Sequence, residues 1–179
     1  RNVNLSEELE KSVSAILEKV RDGGDAAIRE LTKKFDGVEL SDFRVTEEEM
    51  QEALAQVTPE FLEVLKEAKA NIETFHKEQV RKSWTKNFRD GVELGEQFLP
   101  IQRVGVYVPG GRAAYPSTVL MDTVPALVAG CSSVAMTTPP GKDGKVNPNI
   151  LAAAYVAGVK EIYKVGGAQG IAMLAYGTE

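Results

Sequence analysis

Two pairs of glycines mark where this chain could most readily build a binding site. Gly110-Gly111 falls in "VGVYVPGGRAAYPS", after a short apolar run, and Gly166-Gly167 falls in "KVGGAQG", after another. Glycine reaches backbone conformations that other residues avoid, and without a side chain it lets a ligand approach the backbone N–H groups. Helix-like segments follow both pairs. The free donors and positive dipole end of a helix start suit a phosphate or pyrophosphate. Neither GxGxxG nor GxxxxGK[ST] occurs, so neither the common dinucleotide turn nor a P-loop is claimed. Tight turns of a parallel sheet explain such glycines as well as a ligand does, and on spacing alone both readings stand.

Other reactive residue types offer less. His76, the single histidine, lies among Lys77, Glu78 and Arg81 with no second ligand at metal spacing, and reads as a surface residue. Cys131, the single cysteine, has no neighbouring base to lower its thiol pKa and reads as an inert thiol. Glu47-Glu48-Glu49 fits the first turn of a helix, where the dipole favours negative charge.

The elements that must carry the glycine loops can be read from periodicity. Ser6 can cap a helix bearing Leu9, Val13, Ile16, Leu17 and Val20, which stops at Gly23-Gly24. Asp25 starts another, with Ile28, Leu31 and Phe35, ending at the turn signal Asp36-Gly37. Thr46 with Glu49 forms a capping box ahead of Met50 and Leu54. Thr58-Pro59 opens a long helix whose stripe Phe61, Leu65, Ile72 and Phe75 reads as core. Asp90-Gly91 then joins two β-like runs into a hairpin.

From Val104 the pattern alternates strand and helix: "VGVYV", "SVAMTT" and "EIYKV" are the strands. Helix-length connections between them imply a parallel sheet with right-handed crossovers. Ser117 can cap the first of these helices, which ends at Gly130 and has Pro125 inside it to bend it; Asn147-Pro148 opens the second, which ends at Gly158. The expected architecture is α/β, with a helical region and short hairpin over residues 1–100 and a βαβαβα region over 101–179. Ligands of open α/β sheets bind beyond the carboxyl ends of the strands, which places the candidate site at "PGGRAAYPS" and "GGAQG".

Composition bounds the partners. A chain 43% hydrophobic and 26% charged can bury a core and is poor material for disorder. A net charge of -5 argues against nucleic acid as the main partner, which needs a concentrated basic face. One cysteine precludes an intrachain disulfide and suits a reducing compartment, and no run approaches the roughly 20 apolar residues of a membrane span, so the cytoplasm is the expected location. The chain opens on Arg1 and stops at "AYGTE", just after a helical pattern, and reads as part of a longer protein.

The segments "VGVYVPGGRAAYPSTVLMDTVPALVAG" and "VGGAQGIAMLAYGTE", in this order and reached through "FDGVEL" and a long helix, closely resemble the histidinol dehydrogenase family. The resemblance spans the whole chain and implies the N-terminal portion of such an enzyme, with an incomplete Rossmann-like parallel sheet and flanking helices. It implies oxidation of L-histidinol through L-histidinaldehyde to L-histidine in two NAD-dependent steps, within histidine biosynthesis, by a zinc-dependent homodimer. Two NAD contacts carry over: Tyr107, the tyrosine of "YVPGG", and Gln169, the glutamine of "GGAQ". On the residues alone, Tyr107 could equally be a core aromatic and Gln169 a helix cap. The family's zinc ligands and its Glu-His proton-transfer pair lie downstream of "AYGTE", so the resemblance assigns no catalytic and no metal-binding residue to this chain. Gly170 stands where the family often carries alanine, a change expected to loosen the helix start slightly. The competing reading is a non-enzymatic nucleotide- or phosphate-binding module.

Overall fold

The computed structural model describes residues 7–110 and 114–177; Ser6, the expected first cap, and Gly111 of the first glycine pair lie outside them. The chain begins with α1 (Glu7–Asp36), α2 (Glu47–Leu54) and α3 (Pro59–Lys77). The hairpin β1 (Trp84–Arg89) and β2 (Val92–Glu96) follows. The remainder alternates as β3 (Arg103–Tyr107), α4 (Pro116–Val128), β4 (Ser133–Thr137), α5 (Pro148–Ala157), β5 (Glu161–Tyr163) and α6 (Gly167–Tyr176).

Local rules place most of these boundaries. Thr46 Oγ1 accepts from Glu49 N at 3.1 Å while Thr46 N donates to Glu49 Oε2 at 2.9 Å, so both halves of the capping box form. Thr58 accepts from Phe61 N at 3.2 Å with Pro59 in the first turn, and Asn147 accepts from Asn149 N at 2.9 Å ahead of Pro148. The two helices read on either side of Gly23-Gly24 run as one element broken by a non-helical Gly24 (φ 50, ψ -136). Ser117 does not cap α4. Pro116, whose fixed φ suits the first helical position, starts the helix two residues earlier than a Ser117 cap would, leaving Tyr115 at the cap and Ser117 inside.

β3, β4 and β5 form a parallel sheet in that order, with Val104 opposite Val134 and Met136 opposite Ile162. Strand side chains alternate between faces. Val106, Met136 and Ile162 join the core made with α2, α3, α4 and α5, whereas Gly105 backs onto Leu174 of α6 on the other face. There α6 packs along α1, and Val20, Ile28 and Leu31 meet Val165, Ala172 and Met173. The segment 43–45 closes the outer edge of β5: Val45 N donates to Ile162 O and Lys164 N to Phe43 O, at 2.9 and 2.7 Å.

The apolar stripes read from periodicity extend further than the core does. Leu65 is buried and Phe61 and Ile72 pack against the core, but Phe75 is 65% exposed near the end of α3, with the ring of His76 edge-on to it. Leu9 and Val13 precede the first buried residue of α1, Val20, and are exposed; Phe35 is exposed as well. Periodicity identifies an apolar face. How much of that face a neighbour covers depends on the length of the element packed against it. Among the described residues no helix is long and apolar enough to cross a membrane.

Candidate functional site

Strand ends bring the two glycine loops side by side. At the carboxyl edge, Val108 N donates to Thr137 O at 2.9 Å and Thr138 N to Tyr163 O at 3.0 Å, so the three strands finish level. Tyr107, last residue of β3 and partly buried, reaches past β4, and its hydroxyl accepts from the backbone N of Gly167 at 3.3 Å. The loop after the first strand and the loop after the third are therefore joined through the tyrosine singled out in the sequence.

Close packing shapes the second loop. A Cβ on Gly166 would stand 2.6 Å from Pro139 Cβ, and one on Gly170 would stand 2.9 Å from the Val165 carbonyl and 3.0 Å from Thr137 Oγ1. Thr137 Oγ1 itself donates to Val165 O at 2.5 Å, inside the protein. The glycine at 170 thus lets α6 start tight against β4, and an alanine there would push on a backbone carbonyl; this is a closer approach, not the looser helix start expected.

Gln169 is 1% exposed. It lies against Gly167, where a Cβ would come within 2.7 Å of Gln169 Oε1. Gly167 has φ 61, a left-handed conformation that favours glycine. Gln169 is not the cap of α6: the cap position is Gly166, which has no side chain to offer.

Helix starts divide into two kinds. Those of α2, α3 and α5 are each capped by a side chain, from Thr46, Thr58 and Asn147. Those of α4 and α6, which follow the two glycine loops, are not capped by their own N-cap residues, although Tyr107 takes the first N–H of α6 and α4 begins on Pro116, which has none. A helix start without a cap leaves N–H donors for water or a ligand, at the positive end of the dipole. A cavity of about 230 Å³ lies at this edge of the sheet, lined by Gly110, Thr138 and Pro139 and, at the start of α5, by Asn147 and Pro148. Four larger cavities occur among the described residues, of about 540 Å³ between Arg44 and Tyr155, about 550 Å³ between His76 and Cys131, about 350 Å³ by Arg103 and Leu174, and about 250 Å³ by Glu52 and Lys145. Size alone therefore does not locate the site.

Two polar residues at this edge carry no signal in the sequence beyond a turn. Asp36, the last residue of α1, sets Oδ1 3.3 Å from where a Cβ of Gly166 would stand, while its Oδ2 is buried without a partner. One turn earlier, Thr32 is fully buried and its Oγ1 also lacks a partner. Burial pushes the Asp36 carboxyl above the ordinary carboxylate range. The pair Asp36-Gly37 reads locally as a helix stop, and nothing near it in sequence points to a loop 130 residues away.

The backbone donors of the glycine turn at the start of α6 have the chemistry to meet a phosphate group. Among the described residues no group of three or more His, Cys, Asp or Glu side chains converges. His76 pairs its Nδ1 with Gln79 Oε1 at 2.6 Å, at the far end of α3.

Sheet and crossovers define an open parallel α/β protein, its candidate site beyond the carboxyl ends of the strands. The sequence profile of the family described as Histidinol dehydrogenase matches residues 1–179. The chain belongs to the histidinol dehydrogenase family. It is 54% identical over 174 residues to the histidinol dehydrogenase of Geobacillus kaustophilus, a match covering 97% of this chain and 41% of that one. The histidinol dehydrogenase of Methanosarcina barkeri is 52% identical, with 97% and 40% covered. The crystal structure of histidinol dehydrogenase from Elizabethkingia anophelis superposes with a TM-score of 0.92 at 39% identity, over 100% of this chain and 41% of that one. The chain thus spans about two fifths of the length of these relatives, and the matches favour a part of this enzyme over a free-standing nucleotide-binding module.

Proposed function

We propose that this chain supplies one wall of the NAD site of a histidinol dehydrogenase, the enzyme that oxidises L-histidinol through L-histidinaldehyde to L-histidine. The observation that carries the reading is the pair of helix starts, α4 and α6, not capped by their own N-cap residues, on either side of Tyr107. Their donors suit the cofactor's pyrophosphate, and the phenol ring offers an apolar face with a polar tip. When bound, NAD supplies the hydride acceptor. This chain's residues bind and orient; proton transfer and zinc coordination belong to residues outside it. The alcohol substrate, the homodimer and a cytoplasmic location follow from the family and belong to this same proposal.

Tyr107→Phe in the full-length protein tests the reading. Removing the hydroxyl deletes the acceptor for Gly167 N, so the apparent NAD constant is expected to rise by the equivalent of one hydrogen bond, about 0.5 to 1.5 kcal/mol. Steady-state NADH formation at varied NAD measures it. An unchanged NAD constant with a lowered melting temperature would make Tyr107 a packing residue and leave the loop a turn.

A further inference from the structure

The turn that starts α6 is held from two sides. Tyr107 takes the Gly167 N–H from the sheet side, and Asp36 lies against Gly166 from the end of α1. The contact is close because both partners are fixed: Asp36 ends a helix packed along α6, and Gly166 is wedged on Pro139. Yet the carboxylate is poorly provided for. Its Oδ2 is buried without a hydrogen bond, and so is Oγ1 of Thr32, four residues before it on the same helix. Buried polar atoms are nearly always paired, so an orphan pair needs a reason.

Resting on the reading of this turn as an NAD wall, we propose that Asp36 is a positioning residue for it. Its carboxylate, set against Gly166 at the start of α6, holds the Gly166–Gln169 turn in the shape that presents the helix donors and Gln169 to the cofactor. Asp36 acts through the turn and does not touch the cofactor. The burial that raises the Asp36 pKa gives the sign of its effect on stability. A carboxyl whose folded pKa lies above its unfolded value binds its proton more tightly in the folded protein, so stability falls as pH rises through that interval, and at neutral pH the charge is a cost. A residue that costs stability and contacts a binding turn fits the trade of stability for function.

The test uses the full-length enzyme with Asp36→Ala, Asp36→Asn, Gln169→Ala and the Asp36→Ala/Gln169→Ala pair, with NAD and histidinol varied in turn and melting temperature recorded. Asp36→Ala is expected to raise the KM for NAD about fivefold or more, because a small misplacement of a binding group is enough for that, while kcat at saturating NAD and the KM for histidinol stay within about twofold. Asp36→Asn, which keeps the volume and one acceptor oxygen, should raise the NAD constant less and should not lower the melting temperature. In the paired variant the Asp36 penalty should vanish within about twofold of Gln169→Ala alone, since both act through one turn. If Gln169→Ala raises the NAD constant and neither Asp36 variant does, the turn binds NAD and the role given to Asp36 is wrong. If Asp36→Asn lowers melting temperature, kcat and both affinities together, Asp36 is a structural residue and the proposal is overturned. If none of the variants moves the NAD constant, the NAD reading of the turn fails and the proposal falls with it.

Discussion

Glu49→Ala is expected to destabilise the protein by about 3 kcal/mol or more, the range for stripping one partner from a buried ion pair. Glu49 has two jobs. Its Oε1 accepts from Lys164 Nζ at 2.8 Å and its Oε2 from Thr46 N at 2.9 Å, so one carboxylate closes the capping box of α2 and neutralises a lysine on the sheet. The Lys164 side chain is only 9% exposed and that of Glu49 21%, which leaves an orphaned ammonium little water to turn to. Exposed pairs such as Lys66–Glu63 should contribute under about 1 kcal/mol by comparison. Urea unfolding of wild type, Glu49→Ala, Glu49→Gln and Glu49→Ala/Lys164→Met checks the argument. Glutamine keeps acceptor oxygen for one partner and should lose less, and removing the lysine as well should restore part of the loss. A change below about 1 kcal/mol in Glu49→Ala would mean that Lys164 escapes to solvent. The site feels the same contact, because Lys164 leads through Val165 directly into Gly166-Gly167.

Gly167→Ala should damage stability and cofactor affinity together. At φ 61 an alanine pays backbone strain of about 1 to 3 kcal/mol. Its Cβ would also stand 2.7 Å from Gln169 Oε1, so the buried amide has to move. On the proposed role of this turn in NAD binding, moving the Gln169 amide and tilting the N–H that Tyr107 accepts is expected to raise the NAD constant of the full-length enzyme about tenfold. Gly158→Ala is the control: it too has a positive φ, 90, at the end of α5, but a Cβ there meets nothing within 4 Å. It should lower the melting temperature and leave the NAD constant alone. Equal NAD constants in the two variants would show that strain, and not the position of Gln169, sets the effect.

Much of this protein was legible in short windows of sequence. Thr46 with Glu49, Thr58 with Pro59, and Asn147 with Pro148 start helices because cap and first-turn chemistry involves residues two or three apart. The strands around Val106, Met136 and Ile162 follow from short β-rich runs, and their parallel order from helix-length connections. Tyr107 and Gln169 could be named from motifs, and their loops placed at one edge of the sheet. What a window of a few residues cannot hold is contact between distant segments. The Tyr107 hydroxyl meets a backbone N–H 60 positions on, Glu49 meets Lys164 across 115, and Asp36 meets Gly166. Tertiary packing also decided that Phe75 is exposed although it continues the stripe of Leu65, and that Gln169 is buried. Propensity and periodicity act between neighbours along the chain, and so are written in its order. Burial and pairing depend on which helix covers which face of the sheet, and that is fixed only when the crossovers close.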